Sequence, residues 1–170
     1  MKILEELAQR ESGLISITEA LQGTIESKTI EIDSLETGKL YRAIFKEYAE
    51  LSFSNIEALK RGLFLIWYCN LEPEFITGMD YFDIEDKELI INSLEYYFIS
   101  KTIDLELEWM FSYYTNWSFL FTEFNTFALF QLKVAEYENK IELPAFIDRE
   151  GMNSRGNMGN YWNSLTRFSK

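Results

Sequence analysis

The run Trp109-Met-Phe-Ser-Tyr-Tyr-Thr-Asn-Trp-Ser-Phe-Leu-Phe-Thr-Glu-Phe-Asn-Thr-Phe-Ala-Leu-Phe130 places ten aromatic rings in 22 residues, in a chain that contains no histidine. Each buried ring removes about 150–250 Å² from water, so this density specifies a packed interior. Asp104 is placed to cap a helix that carries Leu105, Leu107, Trp109, Met110, Phe111, Tyr113 and Tyr114, apolar over most of its circumference. A helix without a polar face must lie at the centre of a helical protein, which predicts an all-α fold.

Working outward, Leu63-Phe-Leu-Ile-Trp-Tyr-Cys69 reads as the end of a second central helix. Ser54 with Glu57 has capping-box spacing at its start, and Pro73 ends it before a turn at Thr77-Gly78. The carboxylate-rich start Asp83-Ile-Glu-Asp86 leads into Leu89, Ile90, Ile91, Leu94, Tyr97 and Phe98, an outer helix. Turn chemistry at Ser34, Thr37 and Gly38 precedes another, with Tyr41, Ile44, Phe45, Tyr48 and Leu51 at helical spacing. In residues 1–33 helical spacing at Ile3, Leu4, Leu7 and Ala8 conflicts with strand-like alternation over Thr29–Asp33, and the region is read as helices. Thr126 to Tyr137 is a further helix that Leu143-Pro144 closes. The glycine- and asparagine-rich segment 151–160 reads as a loop before a short terminal helix, whose Tyr161, Trp162, Leu165 and Phe168 imply docking.

The expectation is one domain over residues 1–170 with about seven helices, as a bundle or a short HEAT-like stack of helical hairpins. The stack reading rests on an offset of 46 residues, which pairs Leu59 with Leu105, Tyr68 with Tyr114, Asn70 with Asn116 and Phe75 with Phe121. Single Cys69 excludes an internal disulfide and reads as a packed thiol. Carboxylates at Glu5 and Glu6 interrupt any leader-like start, and no apolar run approaches the roughly 20 residues of a membrane span, so a cytoplasmic protein with no membrane contact is expected.

Charge narrows the chemistry. Ser-His-Asp and Cys-His nucleophile systems are excluded without histidine, and a net charge of −12 repels nucleic acid. No zinc or EF-hand pattern is completed, and no metal or cofactor is expected. Gly151, Gly156 and Gly159 lack the ending of a P-loop, and a plain connecting loop is preferred over an anion cradle. Glu106 and Glu108 are two apart on a helix and point away from each other, so they form no catalytic pair.

Residues 71–100 hold eight carboxylates against one lysine, whereas residues 151–170 hold three basic residues and no acid. Within this belt, Glu72, Glu74, Asp80, Asp83, Glu85 and Asp86 are candidates for contact with a basic protein partner, with Tyr113, Tyr114 and Trp117 as aromatic anchors. A solvated rim accounts for most of the same carboxylates, and Arg155 and Arg167 folding back onto the belt is a third reading. The expected function is a non-enzymatic binding module, compatible with a toxin-neutralising immunity protein whose carboxylates meet a basic nuclease. The alternative is a small-ligand protein or enzyme with a pocket among Trp109, Tyr113, Tyr114, Trp117, Tyr161 and Trp162. A structural subunit that self-associates through its aromatic surplus is the remaining reading.

Overall fold

The computed structural model describes residues 2–140 and 143–165, and every element among them is helical. In chain order they are α1 Lys2–Ala20, α2 Ile25–Ser34, α3 Thr37–Leu51, α4 Ile56–Leu71, α5 Glu74–Thr77, α6 Ile84–Ser100, α7 Leu105–Tyr114, a 3-10 segment Thr115–Phe124, α8 Ala128–Tyr137, α9 Arg149–Met152 and α10 Gly156–Ser164. The ten α-helices exceed the expected seven or so because α5 and α9 are single turns that no periodicity announces.

The centre lies where the apolar runs place it. α4 is buried continuously from Ala58 to Trp67, and α7 buries Leu107 and everything from Trp109 to Tyr114. α3 and α6 pack against α4 and against each other, while α1 and α10 close one side of the core. A single contiguous set of buried side chains runs from Leu4 to Trp162. Each large apolar residue in it contributes about 1.5–3 kcal/mol relative to exposure.

Local chemistry departs from the expected boundaries at several points. The cap of α4 is Asn55, whose side chain accepts from the Glu57 and Ala58 amides at 3.0 and 3.3 Å. Ser54 bonds back to the Leu51 carbonyl instead, and the Glu57 carboxylate faces arginines, so no capping box forms. Asp104 does cap α7, accepting from the Leu107 amide at 2.8 Å. Thr24 caps α2, and the alternation over Thr29–Asp33 is therefore helical, with Ile32 buried and Ile30 in solvent. The aromatic run is not one helix: after Tyr114 it tightens into the 3-10 segment, broken by non-helical backbone at Trp117.

The segment expected to be a loop at 151–160 contains the end of α9 and the first half of α10. Asp148 starts α9 by accepting from the Gly151 amide at 3.0 Å. Two glycines then let α10 fold back. Gly156 adopts φ +58°, and a Cβ on Gly159 would stand 1.8 Å from the Met152 carbonyl oxygen. Of the side chains expected to dock, Trp162 is fully buried and Leu165 packs on the core, while Phe168 lies outside the described residues.

The 46-residue pairing does not carry matching environments. Leu59 is fully buried but Leu105 is 77 % exposed, and α7 ends where its counterpart continues for another turn. The shared feature is local, since Asn70 and Asn116 each donate to the carbonyl four residues back.

Cys69 is half-buried near the end of α4, with its thiol directed at the Asp80 carbonyl at 3.5 Å. Burial, with help from the Asp80 carboxylate, pushes the thiol up to about 11. Alkylation by iodoacetamide at pH 8 is expected to run about a hundredfold slower in the folded protein than in urea, because the thiolate is the nucleophile. Equal rates would show a thiol that ionises freely in the native state.

Candidate functional site

The most organised charged constellation lies at the seam between the central helices and the C-terminal segment. Arg155, at the N-terminal end of α10, reaches across to α4 and α7. Its Nε donates to Glu57 Oε1 at 2.7 Å, and its two terminal nitrogens donate to both Glu106 oxygens at 2.8 and 2.7 Å, while Nη2 also pairs with Glu57 Oε2. Lys60, almost wholly buried, donates to Glu106 at 2.7 Å and to Asp104 at 2.6 Å. Arg61 completes the array by donating to Glu57 at 2.8 Å and to the Leu4 carbonyl at 2.9 Å, which ties in α1. Burial alone would raise Glu106, but the hydrogen bonds from Arg155 and Lys60 pull it down to about 2. Every carboxylate oxygen in this array except Asp104 Oδ1 faces a cation, so the array joins elements and offers no free base.

A second polar centre is fully buried. The Tyr48 hydroxyl donates to Glu11 Oε1 at 2.6 Å, and the backbone and side-chain amides of Asn157 donate to Oε2 at 2.9 and 2.8 Å. The anion facing the glycine-rich segment is thus the protein's own carboxylate, held at the first turn of α10. A Cβ on Gly156 would come within 2.6 Å of that carboxylate. Burial raises Glu11 above the ordinary glutamate range, opposed by the bonds from Tyr48 and Asn157 and by the Arg61 charge.

The acidic belt divides into two groups. Glu72 and Glu74 are half-buried at the end of α4 and the start of α5, and Asp80 pairs with Arg42, whose guanidinium lies 4.6 Å from the Tyr81 ring centroid. Asp83 is the N-cap position of α6 and Glu85 and Asp86 fill its first turn, yet the Asp83 side chain makes no cap bond. Among the described residues these three carboxylates, and Glu50 of α3, make no ion pair. Partial burial raises Asp86; Lys46 opposes this, and the charges of Asp83, Glu50 and Glu85 add to it. Arg155 does fold back onto carboxylates, but onto Glu57 and Glu106 rather than the belt, and Arg167 lies outside the described residues.

Tyr113 and Tyr114 are interior side chains and not surface anchors. Trp67 is surrounded by Tyr114, Tyr161, Trp117 and Tyr113 at ring-centroid distances of 4.9, 5.1, 5.5 and 5.7 Å. Trp162 stands edge-on to Trp109 at 4.7 Å, and the Tyr113 and Tyr161 hydroxyls meet at 2.6 Å. All six side chains expected to line a pocket are therefore brought together, but at spacings that place ring against ring. Trp117 and Tyr161 are half-buried, while among the described residues the exposed rings are Phe53, Tyr81, Tyr96, Phe119 and Phe146.

Sequence reading missed Glu11, Lys60 and Arg61 as polar partners, because their carbon neighbours made them look like ordinary helix positions. Glu106 and Glu108 do point apart, one to Arg155 and Lys60, the other to the Tyr137 hydroxyl. Among the described residues no group of three or more metal-ligating side chains converges, and no helix is long and apolar enough to cross a membrane. Set against protein-family models, curated proteins and solved structures, the chain matches none of them.

Proposed function

We propose that this chain is a non-enzymatic binding module that presents the first turn of α6 to a basic protein partner. The observation that carries this reading is how the cations are used. Among the described residues Arg10, Lys39, Arg42, Lys60, Arg61, Lys87, Lys133 and Arg155 are held in internal ion pairs. Asp83, Glu85, Asp86 and Glu50 are left together without an ion pair among the described residues, with Lys46 and Arg42 acting on Asp86 and Asp83 only through their fields, beside exposed Tyr81 and Ile84. A cationic partner would relieve their mutual repulsion, and the field of the net −12 chain would speed its approach. Tyr81 and Ile84 take the anchoring place that Tyr113 and Tyr114 cannot fill. An immunity-like role, neutralising a basic toxin, is one biological form of this reading.

Capture from native lysate, run in parallel on the native protein and on Asp83→Asn/Glu85→Gln/Asp86→Asn at low and high salt, tests it. A basic protein held by the native chain at low salt, released at high salt and bound about tenfold or more weakly by the variant is expected. A partner held equally by both chains would place the interface elsewhere.

A further inference from the structure

A cleft of about 580 Å³ lies between α7 and the C-terminal end of α8. One wall is the face of α7 that carries Leu105, Glu108, Trp109 and Ser112; the other carries Glu136, Tyr137 and Lys140. We propose that this cleft binds a small zwitterion, an α-amino acid with an apolar side chain. This goes beyond the protein-binding reading and involves a different part of the surface.

Two charges of opposite sign that make no ion pair among the described residues line the cleft. Glu108 is half-buried; its Oε1 accepts from the Tyr137 hydroxyl at 2.8 Å, and among the described residues no lysine or arginine pairs with it. The contrast is Glu106, two residues earlier, which holds both Lys60 and Arg155. A partly desolvated carboxylate with one neutral donor favours a cation arriving from the cleft. Lys140, which also lines the cleft, makes no ion pair; its charge acts on Glu136, but that carboxylate is bonded to Lys133. An ammonium alone would satisfy Glu108 and leave Lys140 unpaired, and a carboxylate alone would do the reverse. A ligand that carries both groups matches both walls, and Leu105, Trp109 and Tyr137 supply apolar area for its side chain. The volume lies within the range of small-molecule sites, roughly 300–1,000 Å³, and exceeds what one amino acid fills.

The test follows the Trp109 indole N–H in ¹H–¹⁵N spectra, assigned through Trp109→Phe, during titration with L-leucine, L-leucinamide or N-acetyl-L-leucine. L-Leucine is expected to shift the resonance saturably, and each analogue, lacking one charge, to bind about tenfold more weakly, the size of one lost charge-assisted hydrogen bond. Glu108→Gln, which keeps the acceptor for Tyr137, should remove the advantage of L-leucine over N-acetyl-L-leucine but not over L-leucinamide; Lys140→Gln should do the opposite. Asp83→Asn/Glu85→Gln/Asp86→Asn should bind L-leucine as the native chain does, which separates this site from the acidic face. No saturable shift with L-leucine, or equal responses to all three compounds, would overturn the proposal.

Discussion

Replacing Glu11 by alanine is expected to cost about 3–5 kcal/mol of stability, because it strands three buried donors at once. The Tyr48 hydroxyl and both Asn157 amides converge on this carboxylate, and in its absence none of the three has another acceptor close by that the fold already supplies, save the longer contact of Asn157 with the Tyr41 hydroxyl at 3.2 Å. For a chain of this size such a loss lowers the melting temperature by roughly 10 °C or more. Glu11→Gln separates the two contributions of the side chain. Its carbonyl oxygen can accept from Asn157 while its amide donates to the Tyr48 oxygen, so a cost below about 1.5 kcal/mol is expected. Equal losses in both variants would mean that the negative charge itself, set against Arg61 and the first turn of α10, holds the C-terminal segment in place.

The same pair predicts a pH dependence with a definite sign. Glu11 is raised in the folded state, so the folded protein binds this proton more tightly than the unfolded chain does. Its contribution to stability is therefore greatest below the ordinary glutamate value and declines as pH rises through the raised one. Urea denaturation of the native chain and of Glu11→Gln across mildly acidic to neutral pH should show this decline in the first and not in the second. Parallel curves would assign the slope to other groups.

How far the fold is legible in the sequence follows from what each residue contacts. α3, α4, α6 and α7 are written in periodicity, and α7 also in its cap Asp104, since apolar positions at 3.6-residue spacing face one core whatever their partners are. Asn55, rather than Ser54, caps α4 because both residues are good caps and only the tertiary path of the α3–α4 turn chooses between them. The segment 151–160 misleads for a stronger reason. Gly156 and Gly159 look like loop residues, yet they are there to let α10 approach Glu11 and α9, and those neighbours are absent from the local sequence. The acidic belt is visible as composition, but which carboxylates lack a cation depends on Arg42 and Lys46, which arrive from α3. Tyr113 and Tyr114 carry the composition of an interface; their burial is set by Trp67 and Trp162 from elements 40 or more residues away.

Arg155→Met is the second substitution expected to cost about 3–5 kcal/mol, because it removes one cation that four carboxylate oxygens share. Arg61 and Lys60 remain, but each faces its carboxylate from one side only, and Glu57 and Glu106 then repel each other across the seam of α4 and α7. Arg155→Lys should recover little, since an ammonium cannot span two carboxylates with the planar fork of a guanidinium. Adding Glu106→Gln to Arg155→Met should restore part of the loss, a coupling that a purely steric role for Arg155 would not give. The array also sets acid sensitivity. Glu106 is depressed to about 2 in the folded state, so its contribution is complete above the ordinary glutamate value and disappears as pH falls toward 2. Denaturation at pH 7 and pH 3 should therefore show a smaller acid-induced loss in Arg155→Met than in the native chain. An unchanged acid loss would show that Lys60 alone holds Glu106 ionised, and Arg155 would then act through its contacts with Glu57.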